Sequence, residues 1–91
     1  MTTILKFHAD WCGPCKAMAP LVADIVKDYS DIELVSINVD EDPEIAAEYK
    51  IRSIPALVMI ENGSVINTLI GNRGVEMIKE FFKSAPHSEI S

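Results

Sequence analysis

The sequence lacks the features that mark nucleic-acid-binding, membrane-spanning and nucleotide-binding proteins. It carries 8 Lys and Arg against 14 Asp and Glu, for a formal net charge of −6, and its basic residues form no run. This balance argues against nucleic acid or an anionic membrane as the main partner. No apolar run is long enough to cross a bilayer. No Gly-x-Gly-x-x-Gly follows a predicted strand, so a bound nucleotide or flavin is not expected.

Two further shortages bear on the cellular compartment. The N-terminus, MTTILKFHAD, has no basic residue before its apolar stretch and no small-residue cleavage site after it, unlike a secretory signal peptide. The chain also has only two cysteines. These features favour the reducing cytoplasm, where a structural disulfide would not persist. A cysteine pair in that compartment is expected to be catalytic or metal-binding.

The 91 residues suit one compact domain that spans residues 1–91. Hydrophobic periodicity and turn signals predict seven elements in the order β-α-β-α-β-β-α. They are a strand over 3–8, a helix from 12 to about 29 that continues past Pro20, a strand over 32–40, a short helix over 43–49, a hairpin over 56–70 around Asn62-Gly63, and a helix over 75–83. A parallel β-α-β unit and an antiparallel hairpin would form a four-stranded mixed sheet, an α/β fold with helices on both faces. The tail, from about 85 to 91, is expected to fray.

The two cysteines lie in FHADWCGPCKAMAP, where the first predicted strand ends and the first helix begins. At a helix N-terminus, unpaired N–H groups and the positive end of the dipole favour the thiolate of Cys12. Gly13 allows a tight turn, and Pro14 suits the first helical turn. Cys15 lies one turn further along, close enough to reach an exposed Cys12, and is expected to be the more buried. This arrangement suits thiol–disulfide exchange, in which one thiolate attacks a substrate disulfide and the second thiol resolves the mixed disulfide.

A metal site and inert core packing are the two alternatives to exchange for these cysteines. Zinc usually takes four ligands, and a single C-x-x-C supplies two. His8 and His87 could complete a site, but His87 lies in the tail and His8 stands four residues before Cys12, which is not a usual ligand spacing. A metal is therefore not expected. Inert core cysteines are not favoured either, because packing would not need Trp-Cys-Gly-Pro-Cys at a strand-to-helix junction.

On these residues the chain resembles the thioredoxin family. WCGPC is the thioredoxin active-site motif, and INVDEDPEIAAEYKIRSIPALVMIENGSVINTLIGN is similar to the central and C-terminal portion of these proteins. The resemblance runs from residue 4 to about residue 83. The first strand and helix of a full-length thioredoxin have no counterpart, as in a trimmed member of phage or compact microbial type.

The resemblance implies a thioredoxin fold and a cytoplasmic protein-disulfide oxidoreductase that is monomeric by default. No bound cofactor is implied besides the redox-active cysteine pair. Electrons would come from NADPH only indirectly, through a thioredoxin reductase, and the substrates would be proteins that contain disulfides.

The resemblance also implies roles for individual residues. Cys12 matches the attacking cysteine, Cys15 matches the resolving cysteine, and Pro55 matches the cis-proline of the family. A shallow groove for an extended substrate peptide is implied around the pair, formed by Trp11, Gly13, Pro14, Ile54, Pro55 and Gly71. An ordinary, partly buried aromatic is the alternative interpretation of Trp11.

Three positions depart from the family pattern: Lys6 replaces a buried aspartate, Ser36 replaces the lysine that contacts it, and His8 replaces a frequent tryptophan. Strand alternation puts Lys6 and His8 on one face. A buried, neutral Lys6 amine could accept the Cys15 proton, whereas a charged one would favour the thiolates and make the couple more oxidising. Alternatively, Lys6 extends to water.

Asp10 is a second candidate base, or simply an exposed acid at the helix entry.

Two competing functions remain open from the sequence. A glutaredoxin-type enzyme would draw electrons from glutathione, but that family usually has Pro-Tyr between the cysteines and a Gly-Gly turn after the last strand. This chain has Gly13-Pro14 and IGNRG at those places. A non-catalytic binding module would use the groove as a docking surface, although nothing in the sequence indicates a partner for it.

Overall fold

The computed structural model describes residues 1–86, and residues 87–91 of the predicted tail lie outside the described part. Seven elements follow one another along the chain: β1 (Thr2–His8), α1 (Gly13–Val26), β2 (Ile32–Asn38), α2 (Pro43–Glu48), β3 (Ala56–Glu61), β4 (Ser64–Ile70) and α3 (Val75–Lys83). The predicted order is confirmed, and the bounds of α3 are the predicted ones. Over residues 1–86, no helix combines the length and apolar character needed to span a bilayer.

The four strands form one mixed sheet in the order β2-β1-β3-β4. β1 pairs in parallel with β2 and antiparallel with β3, and β3 pairs antiparallel with β4. β3 therefore lies inside the sheet, and Ala56, Leu57, Val58 and Met59 are all buried. The predictions of a parallel first unit, an antiparallel hairpin and a strand covered on both faces are confirmed.

Side-chain alternation along β1 divides the core into two layers. Ile4 lies in a cluster with residues of α1 and α3, among them Met18 and Phe82. Leu5 and Phe7 face the other way, into a cluster that includes residues of α2, β2 and β3 (Ile37, Ala46, Ala56 and Val58). Helices therefore cover both faces of the sheet, as predicted for this fold class.

Helix α1 continues past Pro20 as predicted, but it ends at Val26, three residues earlier than the periodicity indicated. The Asp28 N–H donates to the Ile25 carbonyl at 3.1 Å, and the Tyr29 N–H donates to the Val26 carbonyl at 3.0 Å. Both bonds reach back three residues rather than four. The chain therefore leaves the helix through a tighter turn instead of adding another α-helical turn.

Strand β2 ends at Asn38, two residues earlier than predicted. The Asn38 side-chain oxygen accepts hydrogen bonds from the N–H groups of Asp40 at 2.9 Å and Glu41 at 3.3 Å. Asparagine commonly forms such turns because its side chain replaces a backbone acceptor. The turn places Asp40 just beyond the carboxyl end of β2. Since β1 and β2 are parallel, this is the same sheet edge from which the cysteine segment follows β1.

The β3–β4 hairpin turns at the predicted dipeptide. Asn62 has φ 53° and Gly63 has φ 82°, so both central residues adopt left-handed backbone conformations. A type I′ turn, whose twist matches that of the two strands in a two-residue hairpin, needs positive φ at both central residues. Asn and Gly adopt positive φ at low steric cost.

Candidate active site

The cysteine pair lies at the start of α1, directly after the turn that follows β1. Cys12 is the N-cap residue of the helix, with an extended backbone at φ −90° and ψ 105°. Its sulfur accepts a hydrogen bond from the Cys15 N–H at 3.2 Å. Pro14 occupies the first turn, where a backbone N–H is not needed. The predicted position of Cys12 at the helix N-terminus is confirmed.

A disulfide joins Cys12 to Cys15, and their Cα atoms lie 5.3 Å apart. This separation is within the usual range for a disulfide, so a C-x-x-C segment on a first helical turn closes without rearrangement of the backbone. Over residues 1–86, no group of three or more His, Cys, Asp and Glu side chains is placed to hold a metal ion. His87, considered above as a zinc ligand, lies outside the described residues.

Both cysteines are buried in the disulfide form, with 4% of Cys12 and 6% of Cys15 exposed. The expectation of an exposed Cys12 and a more buried Cys15 is therefore wrong for this form. Ala9 belongs to the same apolar cluster, and Val39 and Ile54 pack against it. These three residues come from the β1–α1 turn, the β2–α2 loop and the loop before β3. The disulfide therefore lies where three separate chain segments meet.

The loops before β3 and after β4 are joined beside the disulfide. The Ile54–Pro55 peptide bond is cis, as the resemblance implied. The Gly71 N–H donates to the Pro55 carbonyl at 2.7 Å, and Gly71 has φ 87°, which favours glycine. Three predicted groove residues are thus held next to the cysteine cluster. Gly13 and Pro14 lie between the two cysteines in the first turn of α1 and are exposed. That these residues bind a substrate stays a prediction.

Trp11 is 69% exposed, which does not fit an ordinary, partly buried aromatic. Its indole N–H donates to the Asp40 carboxylate at 2.8 Å. Sequence reasoning missed Asp40 as the anchor of this ring. A signal was available, because residues that follow two neighbouring parallel strands meet at one sheet edge, and Asp40 follows β2 as Trp11 follows β1.

Asp40→Ala is expected to release the indole of Trp11 while leaving the fold intact. The bond joins exposed groups, so we expect the free energy of unfolding to fall by only about 1 kcal/mol or less. Trp11 is the only tryptophan, so one indole N–H resonance reports its shift and its nanosecond mobility by NMR. Asp40→Asn, which retains an acceptor, should restore much of the order.

Glu41→Ala is the matched control for this prediction, because Glu41 is a neighbouring exposed acid whose carboxylate makes no hydrogen bond to the ring. An indole resonance in Asp40→Ala with the same shift and mobility as in Glu41→Ala would show that the carboxylate does not hold Trp11.

Lys6 and Asp10, the two predicted tuning residues, line one cavity together with Cys15. Lys6 is half-buried and Asp10 is exposed. Lys6 and Ser36 are paired neighbours across β1 and β2, and both border the cavity. The structure thus places Lys6 and Cys15 on the same cavity, while the role of Cys15 as the resolving cysteine and the roles of Lys6 and Asp10 as bases stay predictions.

Comparison with known proteins agrees with this geometry. The sequence model of the thioredoxin family matches residues 1–84. Thioredoxin 1 of Synechococcus elongatus is 44% identical over 69 residues, which cover 75% of this chain and 64% of that protein. The thioredoxin of Pyropia yezoensis is 46% identical over 72 residues, which cover 78% of this chain and 67% of that protein. The chain thus spans about two thirds of the length of these relatives.

Solved structures of thioredoxins have the same fold as this chain. Mitochondrial thioredoxin 3 from Saccharomyces cerevisiae, in its oxidised form, superposes with a TM-score of 0.86 at 32% identity, over 92% of this chain and 78% of that one. The family match over residues 1–84, the shared four-stranded fold and the cysteine pair that begins α1 together show that this chain belongs to the thioredoxin family.

Proposed function

We propose that the protein reduces disulfides in other proteins by dithiol–disulfide exchange. The observation that carries the proposal is the Cys12–Cys15 disulfide at the N-terminus of α1. In the reduced protein, the Cys12 thiolate attacks one sulfur of a substrate disulfide, forms a mixed disulfide and releases one substrate thiolate. Cys15 then attacks the Cys12 sulfur, closes the internal disulfide and releases the second substrate sulfur. Two electrons and two protons pass from the cysteine pair to the substrate.

The helix start supports the assignment of Cys12 as the attacking residue. The Cys15 N–H already points at the Cys12 sulfur at 3.2 Å in the disulfide form. The same donor would stabilise a negative charge on that sulfur after reduction, and the helix dipole acts in the same direction. Cys15 follows within the first turn, where its sulfur can return to Cys12 once the mixed disulfide has formed.

The substrate we propose is an extended stretch of protein chain. Within residues 1–86, the backbone N–H and carbonyl of Ile54 make no hydrogen bond, although Ile54 packs against the cysteine cluster. A peptide lying alongside could therefore add backbone hydrogen bonds there, as an extra strand does at a sheet edge. The remaining sides of the groove are the predicted ones: Trp11, Gly13, Pro14, Pro55 and Gly71.

The electrons are proposed to come from NADPH through a thioredoxin reductase, in a reducing compartment such as the cytoplasm. The sequence has no nucleotide-binding motif of its own. A second protein is proposed to deliver electrons to the Cys12–Cys15 disulfide, and a monomeric state would leave the groove open to that protein.

A comparison of electron donors tests this proposal. NADPH with a thioredoxin reductase is expected to sustain reduction of a protein disulfide about tenfold faster than glutathione with NADPH and glutathione reductase. The reason is that a glutathione-dependent enzyme needs a glutathione site, whereas the loop after β4 reads Gly71-Asn72-Arg73-Gly74 rather than Gly-Gly. Rates are measured as NADPH consumption at equal protein concentration.

The controls separate the competing functions. Faster turnover with glutathione would make the protein glutaredoxin-like. The double variant Cys12→Ser/Cys15→Ser should be silent with both donors. If that variant kept a function that the wild type has in the cell, that function would not need the cysteines. The groove would then be a docking surface and the redox proposal would fail.

A further inference from the structure

A cavity of about 340 Å³ lies between the end of β1 and the first two turns of α1. Its walls are largely apolar and include Met18, Ala19 and Pro55. Met18 is 1% exposed and Pro55 is also buried. Cys15 opens onto the same space, as does the side of β1 that carries Lys6. The proposed resolving cysteine and a lysine thus border the same partly open, mostly apolar cavity.

Within residues 1–86, Lys6 forms no ion pair in the disulfide form. Among residues 1–86, the ion pairs involve other groups, and the Lys6 side chain makes no hydrogen bond. The other ionisable side chains that border the cavity are His8, which is half-buried, and Asp10 and Lys16, which are exposed. Asp10 is not within ion-pair distance of Lys6. A negative charge that forms in the cavity would be attracted to this cation, because the largely apolar walls screen charges less than water does.

We propose that the Lys6 ammonium is the counter-ion of the Cys15 thiolate. This inference rests on the exchange reaction proposed above and adds a specific role to a residue outside the cysteine motif. The anion exists only after reduction, since the disulfide sulfurs carry no charge. Lys6 therefore stabilises the reduced state over the oxidised state, which makes the couple a stronger oxidant. The same attraction speeds the resolving step, because the thiolate is the attacking form of Cys15.

The resolving step balances with Lys6 charged throughout. In the mixed disulfide, the Cys15 thiol gives its proton to water at the mouth of the cavity, and the ammonium holds the resulting thiolate. The thiolate attacks the Cys12 sulfur, so the Cys12–Cys15 bond forms and the bond between Cys12 and the substrate breaks. The electron pair of the broken bond leaves with the substrate sulfur, which takes up a proton from water. Lys6 neither gains nor loses a proton in this step, so the proposal assigns it the role of a positive charge that stabilises the Cys15 thiolate, not the role of a base.

Lys6→Met and Lys6→Arg test the proposal against each other. Both variants and the wild type are equilibrated with mixtures of reduced and oxidised dithiothreitol, and the reduced fraction is measured by thiol alkylation and mass. Removing a nearby opposite charge changes an ionisation equilibrium by about tenfold or more. We therefore expect Lys6→Met to shift the equilibrium about tenfold toward the disulfide at a pH where Cys15 of the reduced wild type is a thiolate, which is about 30 mV for two electrons. Lys6→Arg keeps the charge and should stay within about threefold of the wild type.

Lys79→Met is the matched control, because it removes the same charge from an exposed position on α3. It should leave the equilibrium unchanged. Release of substrate thiol from a preformed mixed disulfide gives a second readout, and Lys6→Met should slow it about tenfold. Thermal unfolding of the oxidised variants checks that each is folded, and Lys6→Gln replaces Lys6→Met if that variant is not.

The inference is overturned if Lys6→Met stays within about twofold of the wild type in both readouts. It is also overturned if Lys6→Arg behaves like Lys6→Met, because arginine keeps the charge and lacks only the ability to act as a neutral base. Failure of the reduction proposal looks different. In that case the wild-type dithiol itself shows no exchange with a protein disulfide, whatever residue occupies position 6.

Discussion

Cys12→Ser is expected to abolish reduction of protein disulfides, whereas Cys15→Ser is expected to arrest it at the mixed disulfide. The serine hydroxyl is not ionised near neutral pH and cannot form a disulfide, so the attacking step is lost. The rate with a thioredoxin reductase should fall by about a thousandfold or more. In Cys15→Ser the attack still occurs, but no thiol follows on the first helical turn to release the substrate. Turnover is measured with reductase and NADPH, and covalent adducts are measured by mass under non-reducing conditions.

The two variants also show which cysteine attacks. A stable adduct should form with Cys15→Ser and not with Cys12→Ser, and the reverse pattern would exchange the assigned roles. Ala17→Ser places a serine at an exposed position of the same helix and should keep wild-type turnover. Proteins that remain attached to Cys12 in the Cys15→Ser variant would be the substrates themselves, which makes the trap a direct route to their identity.

Most of the fold follows from local patterns along the chain. The Asn62-Gly63 turn was predictable because both residues accept the positive φ that the hairpin needs. The structure agrees with the predicted extent of helix α3, whose buried residues Ile78, Phe81 and Phe82 recur at helical spacing. The ends of α1 and β2 were not predicted. The end of α1 depends on backbone hydrogen bonds from Asp28 and Tyr29, which replace a further α-helical turn. The end of β2 depends on the Asn38 side chain, which accepts hydrogen bonds from the backbone that follows the strand.

The chemistry of the site was predictable wherever it depends on neighbours in sequence. The spacing of Cys12 and Cys15 and the strand-to-helix junction indicated an N-cap cysteine that can close a disulfide, and the structure confirms both. Features that depend on distant segments do not follow from local patterns: Ile54 was implied only by the resemblance, and Asp40 could be found only from the pairing of β1 with β2. Val39 and Ile54 cover the pair in the disulfide form, and Asp40 anchors an exposed ring from the next strand. Each needs a tertiary contact that no local periodicity specifies.

Phe82→Ala is expected to give a large loss of stability. Phe82 is 0% exposed, and its ring lies 5.3 Å from that of Tyr29 and 6.3 Å from that of Phe81. It therefore packs α3 against the turn that follows α1 and belongs to the core cluster that contains residues of α1 and the sheet. Truncation of a buried phenylalanine removes the apolar contact and leaves a cavity, which costs about 3–5 kcal/mol. Domains of this size are stable by about 5–15 kcal/mol, so this is a large share of the whole.

The measurement is urea unfolding of the oxidised protein, in which the Cys12–Cys15 disulfide stays constant between variants. The midpoint should fall without a change in slope, and the melting temperature should fall by about 10 °C or more. Met77→Ala is the matched control, because Met77 lies on the same helix but is 46% exposed. It should lower the free energy of unfolding by no more than about 1 kcal/mol. A loss in Phe82→Ala as small as that in Met77→Ala would mean that the contact between α3 and α1 adds little to the stability of the fold.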